Sequence, residues 1–222
     1  MKNNIVKVCV IALIAIGPGP GCASNKSDGK AKKDKSESVD QKNGVLDIVK
    51  KVIDGPAPKW ESTGDADVDQ LGTMVIGDWA TQMWMKAKNL QPLVENAPLY
   101  NKYLHSVDAK VTNGASEEVA HKQTRDEVLA LPDGKIQLQK IDDGLAATKN
   151  HRGVLSGYLQ TVVPKIPEAS QSIANMSQKL VGLSPELKKL RNALGSVKQS
   201  ISDIQDISKA IARFNNMDKY MK

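Results

Sequence analysis

The sequence predicts an all-α protein: an elongated helical bundle with long heptad-patterned C-terminal helices and a disordered N-terminal tether. Three observations predict this fold class. Apolar residues recur every three or four positions through the second half of the chain, residues that begin and end helices stand at the expected boundaries, and strand-like alternation is weak.

The first predicted helix begins near Val45 and ends at Asp54-Gly55-Pro56. Thr63 or Asp65 then caps a second helix, which carries several carboxylates in its first turn and extends to about Asn89. Apolar residues cover more than half of the circumference of this second helix, so we expect it to lie deep in the bundle. They include Leu71, Met74, Val75, Ile76, Trp79, Met83, Trp84 and Leu90.

Two further helices complete an N-terminal helical region, residues 44–131. Pro92 and Pro98 mark the boundary before the third helix, which ends near Asn113-Gly114. Ser116 opens the fourth helix, and Pro132-Asp133-Gly134 closes it. The short alternation at residues 135–139 is better explained by the helix that follows than by a strand.

A heptad pattern dominates the C-terminal helical region, residues 132–222. Steps of three and four from Leu138 to Ile211 pass through twenty-two positions, of which nineteen are apolar, against ten of the fifty-two residues between them. This contrast indicates helices with one buried face. Pro164, Pro167 and Pro185 interrupt the pattern, and we predict helices near 134–163, 168–182 and 185–215.

The heptad face predicts packing within one chain rather than a dimeric zipper. The residues that flank it are too mixed in charge to select a partner, and Ala193 and Ile207 widen the apolar stripe as a bundle requires. An oligomer that forms through the heptad seam, the twenty-two positions from Leu138 to Ile211, stays an alternative. Arg152 occupies an otherwise apolar heptad position, which indicates either a seam edge or a polar site paired with a carboxylate.

The residue types that commonly act in catalysis or metal binding form no recognisable site pattern. His105, His121 and His151 lie on separate predicted segments, so we expect exposed or capping histidines and no metal site. No pattern of catalytic residues or cofactor-binding loop stands out, which predicts a non-enzymatic protein. Trp79, Met83 and Trp84 have the spacing of core residues rather than of a ligand pocket.

Charge excludes one class of partner. The formal net charge is +6, the basic residues are mostly lysine, and arginine is scarce. This composition does not indicate a nucleic-acid-binding protein, because proteins that bind phosphate groups typically carry arginines and clustered basic residues.

The N-terminus carries the most specific motif. Lys2 and Lys7 give a basic start, the residues from Ile5 to Ile16 are apolar apart from Lys7, and Gly17-Pro18-Gly19-Pro20-Gly21 then leads to Cys22. This resembles the signal peptide of a bacterial lipoprotein. The resemblance implies a signal peptide at 1–21 and a lipid-acylated Cys22 that holds the protein on a bilayer, with Ala23 favouring the outer membrane, facing the periplasm or the cell surface. An ordinary secretory signal cleaved near Ala23 or Ser24 is the alternative.

Residues 22–43 are rich in Lys, Ser, Asp and Gly, which predicts a lipidated flexible tether. Cys9 and Cys22 are the only cysteines of the sequence, so the resemblance leaves no disulfide in the mature chain.

The C-terminal sequence, Asn216 to Lys222, resembles the end of the murein lipoprotein, whose terminal lysine is joined to the cell wall. The resemblance implies a possible cell-wall attachment at Lys222. We therefore expect a membrane-anchored interaction or structural module whose partners are unknown envelope proteins. A membrane-active protein inserting Leu71 to Met85, and an enzyme with an unrecognised site, are the alternatives.

Overall fold

The computed structural model describes residues 44–182 and 184–221, and within these residues it confirms the all-α fold class. Helices and the turns between them are the only regular elements in that part of the chain. The predicted tether and signal peptide lie outside the described residues. The helices of the two predicted regions share one hydrophobic core.

Nine α-helices and three variant helical segments follow one another along the described chain. Their bounds are α1 Val45–Asp54, α2 Ala66–Gly72, a π-helical segment Thr73–Ala80, α3 Thr81–Ala87, a 3₁₀ turn Lys88–Leu90, α4 Gln91–Val94, α5 Ala97–Thr112, α6 Glu117–Leu129, α7 Gly134–Val162, a 3₁₀ turn Val163–Lys165, α8 Ile166–Lys179 and α9 Pro185–Tyr220.

The predicted caps begin the helices. Asp65 accepts a hydrogen bond from the backbone N–H of Val68 at 3.0 Å, and it is the cap of α2 rather than Thr63. The Ser116 hydroxyl accepts from the N–H of Val119 at 3.3 Å at the start of α6. Ser184 caps α9 in the same way, and Pro185 occupies the first helical position as predicted.

The second predicted helix is present as a continuous rod from α2 to Leu90, but its middle is π-helical, which the sequence analysis missed. Buried residues there recur in pairs at every fourth position: Leu71 and Gly72, Val75 and Ile76, Trp79 and Ala80. A strict spacing of four exceeds the 3.6-residue turn of an α-helix, and this is the local signal that indicates a wider turn.

Pro164 and Pro167 produce a bend rather than a reversal, whereas α9, which begins at Pro185, packs back along α8 and α7. Pro164 lies in the 3₁₀ turn between α7 and α8, and Pro167 lies in the first turn of α8, where a missing N–H costs no hydrogen bond. The last helix extends to Tyr220 rather than 215, because Phe214 and Met217 continue its buried face. At 1.5 Å per residue α9 is about 54 Å long.

The heptad seam is buried within the chain over most of its length. From Leu138 to Ile173 every seam position is buried, including the polar Thr148 and Arg152. In α9 the seam is buried from Leu194, and Ile207 then replaces Ser208 as the fully buried residue, because the stripe widens there. α9 packs against α1, α2, the π-helical segment, α6, α7 and α8. The expectation of packing within one chain is therefore confirmed, and an oligomer stays a prediction.

Two glycines of α7 give a matched test of this packing. A Cβ atom at Gly144 would lie 2.3 Å from the hydroxyl oxygen of Tyr100, which donates to the carbonyl of Ile141 at 2.9 Å. We expect Gly144→Ala to lower the free energy of unfolding by about 1–3 kcal/mol, since the ring must move and lose this bond. Urea denaturation measures the loss.

Gly153→Ala is the control on the same helix, because nothing lies within 4 Å of its added Cβ atom. We expect this variant to gain about 0.5–1 kcal/mol from the lower entropy of the unfolded chain. Equal effects at the two positions would contradict the packing described for Tyr100.

Candidate functional site

The two site residues predicted from the sequence, Cys22 and Lys222, lie outside the described residues. The described residues that come nearest to each of them in sequence are bound to the bundle. Asn101 on α5 accepts a hydrogen bond from the N–H of Leu46 at 3.1 Å, which fixes the first turn of α1. At the other end Met221 is buried, so the chain is packed against the core up to its penultimate residue.

A groove of about 250 Å³ lies between the α2–π-helical rod and α8. Apolar side chains line it, with polar groups contributed from both helices. The lining comprises Leu71, Met74, Trp79, Ala169 and Met176, together with Asp67, Gln70, Lys165, Glu168 and Ser172. Met74 is 38 % exposed on the π-helical segment, and π-helical turns frequently mark functional positions. This groove offers contact to an apolar side chain beside charged groups of both signs.

Of the cluster Trp79, Met83 and Trp84, which the sequence places in the core, two residues are buried there. Trp79 and Met83 are buried, whereas Trp84 is only half-buried. The indole N–H of Trp84 donates to the carbonyl of Gly55 at 3.2 Å, and Lys88 donates to the carbonyl of Ile53 at 2.6 Å. These side chains satisfy carbonyls at the end of α1, so they hold α1 against the rod rather than forming a ligand pocket.

The loop between α1 and α2 is held by Asp69, one of the first-turn carboxylates of α2, in a role that the sequence did not indicate. Asp69 accepts from the Thr63 N–H at 2.7 Å, the Thr63 hydroxyl at 2.8 Å and the Ser62 hydroxyl at 2.5 Å. These hydrogen bonds, that of Ser62 first, hold the pKa of Asp69 well below its usual value. The loop places Trp60 against Gly72, where a Cβ atom would come within 2.2 Å of the indole.

Arg152 is buried and paired, which confirms the carboxylate-paired interpretation over the seam edge. Its side chain is 1 % exposed and lies 3.5 Å from the Asp218 carboxylate on α9. It donates to the Asn215 side-chain oxygen at 2.7 Å and to the Leu145 carbonyl at 2.9 Å. Burial lowers the pKa of the Arg152 guanidinium, and Asp218 opposes that effect. One guanidinium thus ties the last turns of α9 to α7.

His121 corrects the expectation of exposed or capping histidines. It is 1 % exposed and lies between the rings of Tyr103 and Tyr220, each with its centroid 5.7 Å away. The Tyr103 hydroxyl donates to the backbone carbonyl of His121 at 3.0 Å. Burial lowers the pKa of His121, with a smaller effect of Arg213 in the same direction and opposing effects of Glu117 and Asp108. His105 and His151 are exposed, as expected.

The described residues contain no group of three or more His, Cys, Asp or Glu side chains placed to hold a metal ion. Among the same residues, no helix has both the length and the apolar character that crossing a membrane requires. Comparison with known proteins adds no relative: no family model matches the chain, and no curated protein or solved structure does.

The pairing of Arg152 with Asp218 can be measured against a surface pair. We expect Asp218→Ala to lower the free energy of unfolding by about 2 kcal/mol, because it leaves a buried guanidinium without its carboxylate. Asp108→Ala removes the partner of Arg213, whose pair is 53 % and 30 % exposed, and is expected to cost less than about 1 kcal/mol. Urea denaturation compares the two.

Adding Arg152→Met to Asp218→Ala removes both charges, and we expect it to recover at least half of the loss. An Asp218→Ala variant as stable as Asp108→Ala would show that Asp218 contributes nothing beyond a surface pair.

The lowered pKa of His121 makes stability depend on pH. The unfolded chain binds a proton below about pH 6.5, whereas the folded state resists it, so unfolding becomes easier as pH falls below that value. The loss reaches at most about 1.4 kcal/mol per pH unit until the pH meets the lowered pKa. Urea denaturation between pH 7.5 and 5 measures the slope.

His121→Phe keeps a ring between Tyr103 and Tyr220 and is expected to flatten this slope. His105→Gln, at an exposed position, is expected to retain it. If His121→Phe kept the pH dependence of the free energy of unfolding seen in the parent protein, that dependence would belong to other groups.

Proposed function

We propose that this chain is a lipid-anchored, non-enzymatic helical protein of the bacterial envelope that presents its bundle for contacts with envelope proteins. The observation that carries the proposal is the N-terminal motif: a basic start, a run from Ile5 to Ile16 that is apolar apart from Lys7, and a cysteine at position 22. Two or more acyl chains on one residue give stable anchoring, whereas one chain gives only marginal binding. Ala23 favours the outer membrane.

The composition of the chain between Cys22 and α1 supports the anchor. Residues 23–43 stand between the proposed lipid and α1 in the sequence, and their polar composition suits a spacer. Extended, they reach up to about 70 Å, which allows the bundle to contact partners away from the bilayer.

The use of the buried polar side chains supports a structural role over catalysis. Arg152 and Thr148 bond to α7 carbonyls, with Arg152 also reaching Asn215, and His121 is enclosed by two tyrosines. Thr124 lies 3.3 Å from the hydroxyl of Ser106. These groups hold helices together. The surface that we propose for a partner is the groove beside the π-helical segment, where Met74 is exposed.

Attachment to the cell wall through Lys222 is a second candidate, favoured by the packing of the preceding turns. Met217 and Met221 are buried and Asp218 pairs with Arg152, so a covalent load at residue 222 would pass directly into the core. The membrane-active alternative is disfavoured, since Val75, Trp79 and Met83 of its segment are buried and would have to leave the core to reach lipid.

Metabolic labelling tests the anchor. We expect cells expressing the full chain to incorporate labelled palmitate into it, and Cys22→Ser to abolish incorporation and release the protein from the membrane fraction. Cys9→Ser is the matched control and is expected to keep the label. Equal labelling of the parent and Cys22→Ser chains, or none in either, would refute the proposal. A band shifted by bound wall fragments, lost in Lys222→Arg, would identify the second candidate.

A further inference from the structure

A pocket of about 230 Å³ lies between α5, α6 and α7, and it shares no lining residue with the groove beside the π-helical segment. Its apolar lining comes from all three helices and from the turn that joins α6 to α7. These side chains are Leu99 and Tyr103 of α5, Val128 of α6, Leu131 of the turn and Ile141 of α7. Because a cavity of about 150 Å³ holds benzene, this pocket has room for an apolar body of about nine carbon atoms.

The floor of this pocket is held in place by the fold. Tyr103 and Ile141 are buried, and the Tyr103 hydroxyl donates to the carbonyl of His121 at 3.0 Å, which fixes the ring. Leu131 is 39 % exposed and stands at the mouth. Sites for small molecules are typically apolar, largely preformed and equipped with a few polar groups that orient the ligand. The pocket has this form, so its polar groups indicate which ligand it accepts.

Three polar residues of the lining, Ser106, Thr124 and Glu127, are already paired. Lys110 donates to the Ser106 hydroxyl at 2.8 Å and to the Glu127 carboxylate at 2.7 Å. Thr124 donates to the same Ser106 hydroxyl at 3.3 Å. The negative charge of Glu127 is therefore balanced by Lys110, and these side chains hold α6 against α5.

Two further polar residues of the lining have donors left for a ligand. Lys102 of α5 and Gln137 of α7 make no side-chain hydrogen bond or ion pair within the part of the chain that the structure describes. The ammonium group of Lys102 and the amide of Gln137 both donate hydrogen bonds, and an anionic oxygen accepts the strongest of them. A ligand carboxylate beside these two side chains would gain such bonds, whereas a ligand cation would be repelled by Lys102.

The other charged residues near the pocket nearly balance, so the lining itself decides the sign of the ligand. Those within one helical turn of the lining are Glu95, Asp126, Asp133, Asp142 and Asp143 against Lys122, Arg125, Lys135 and Lys140, with Asp108 paired to Arg213. None of them lines the pocket, and water and salt screen charges at its periphery. Arg125 and Asp142 also act in opposite directions on the pKa of Tyr103, at the floor. Lys102 is thus the one charge of the lining without a described partner.

We propose that this pocket binds a small amphipathic carboxylate, such as a medium-chain fatty acid. An apolar chain of about nine carbon atoms fills the space between the three helices, and the carboxylate accepts hydrogen bonds from Lys102 and Gln137. The site goes beyond the proposed function, and it is argued from residues that neither the anchor nor the groove uses.

Methyl NMR of the full chain tests the site, with decanoate as the probe below its micelle concentration. We expect saturable shifts of the methyl signals that line the pocket, which are those of Leu99, Val128, Leu131 and Ile141. The methyl signals of Val154, a 59 % exposed residue of α7, are the internal control and are expected to stay in place. Decylammonium carries the same chain with the opposite charge. We expect it to bind at least about tenfold more weakly, because it loses the charge-assisted hydrogen bonds.

Two variants separate recognition of the carboxylate from recognition of the chain. Lys102→Met keeps the aliphatic stem and is expected to weaken decanoate binding about tenfold, since a hydrogen bond to a charged group contributes at least that factor. Lys122→Met makes the same change at an exposed position of α6 outside the lining, and we expect less than about a twofold effect. Val128→Phe fills the pocket and is expected to abolish binding, whereas Val154→Phe is expected to retain it. Circular dichroism checks that every variant keeps its helices.

The site is refuted if decanoate causes no saturable shift, if the signals of Val154 move as far as those of the lining, or if Val128→Phe binds like the parent. Equal affinities for decanoate and decylammonium, or an unchanged affinity in Lys102→Met, would refute the carboxylate as the group that is recognised. These outcomes are independent of the anchor. A chain that incorporates no palmitate still reports on decanoate binding, and an acylated chain with an empty pocket would refute this proposal alone.

Discussion

The packing of α9 along α7 and α8 is the interaction on which the rest of the structure depends. α9 also contacts α1, α2, the π-helical segment and α6, so the N-terminal helices assemble around it. A purely apolar seam allows helices to slide by a turn with little change in contact. Arg152 removes that freedom, because a guanidinium that is 1 % exposed must meet Asn215 and Asp218 on α9, and only one register places them there.

Most of the fold follows from local rules, and the exceptions share one physical cause. Asp65, Ser116 and Ser184 begin helices where the sequence places them, because a cap needs only its own turn. The burial of His121 could not be predicted in this way. Its helix is largely polar, and the rings that enclose it come from positions 103 and 220, whose proximity depends on the whole assembly. The burial of Ile207 in place of Ser208 has the same cause. Where the apolar stripe is wide, tertiary contacts determine which of two neighbouring residues is buried.

The candidate sites divide in the same manner. The proposed lipidation residue, Cys22, lies in a contiguous motif, so the sequence alone is enough to propose it. The groove beside the π-helical segment combines side chains from residues 67–79 with others from 165–176, and no local pattern joins them. The half-buried part of the heptad seam, at Met176, Leu180, Leu187 and Leu190, falls between these cases. The heptad register indicates an apolar face through Leu180 and Leu187, but only the structure shows that this stretch lacks the cover given to the residues on either side.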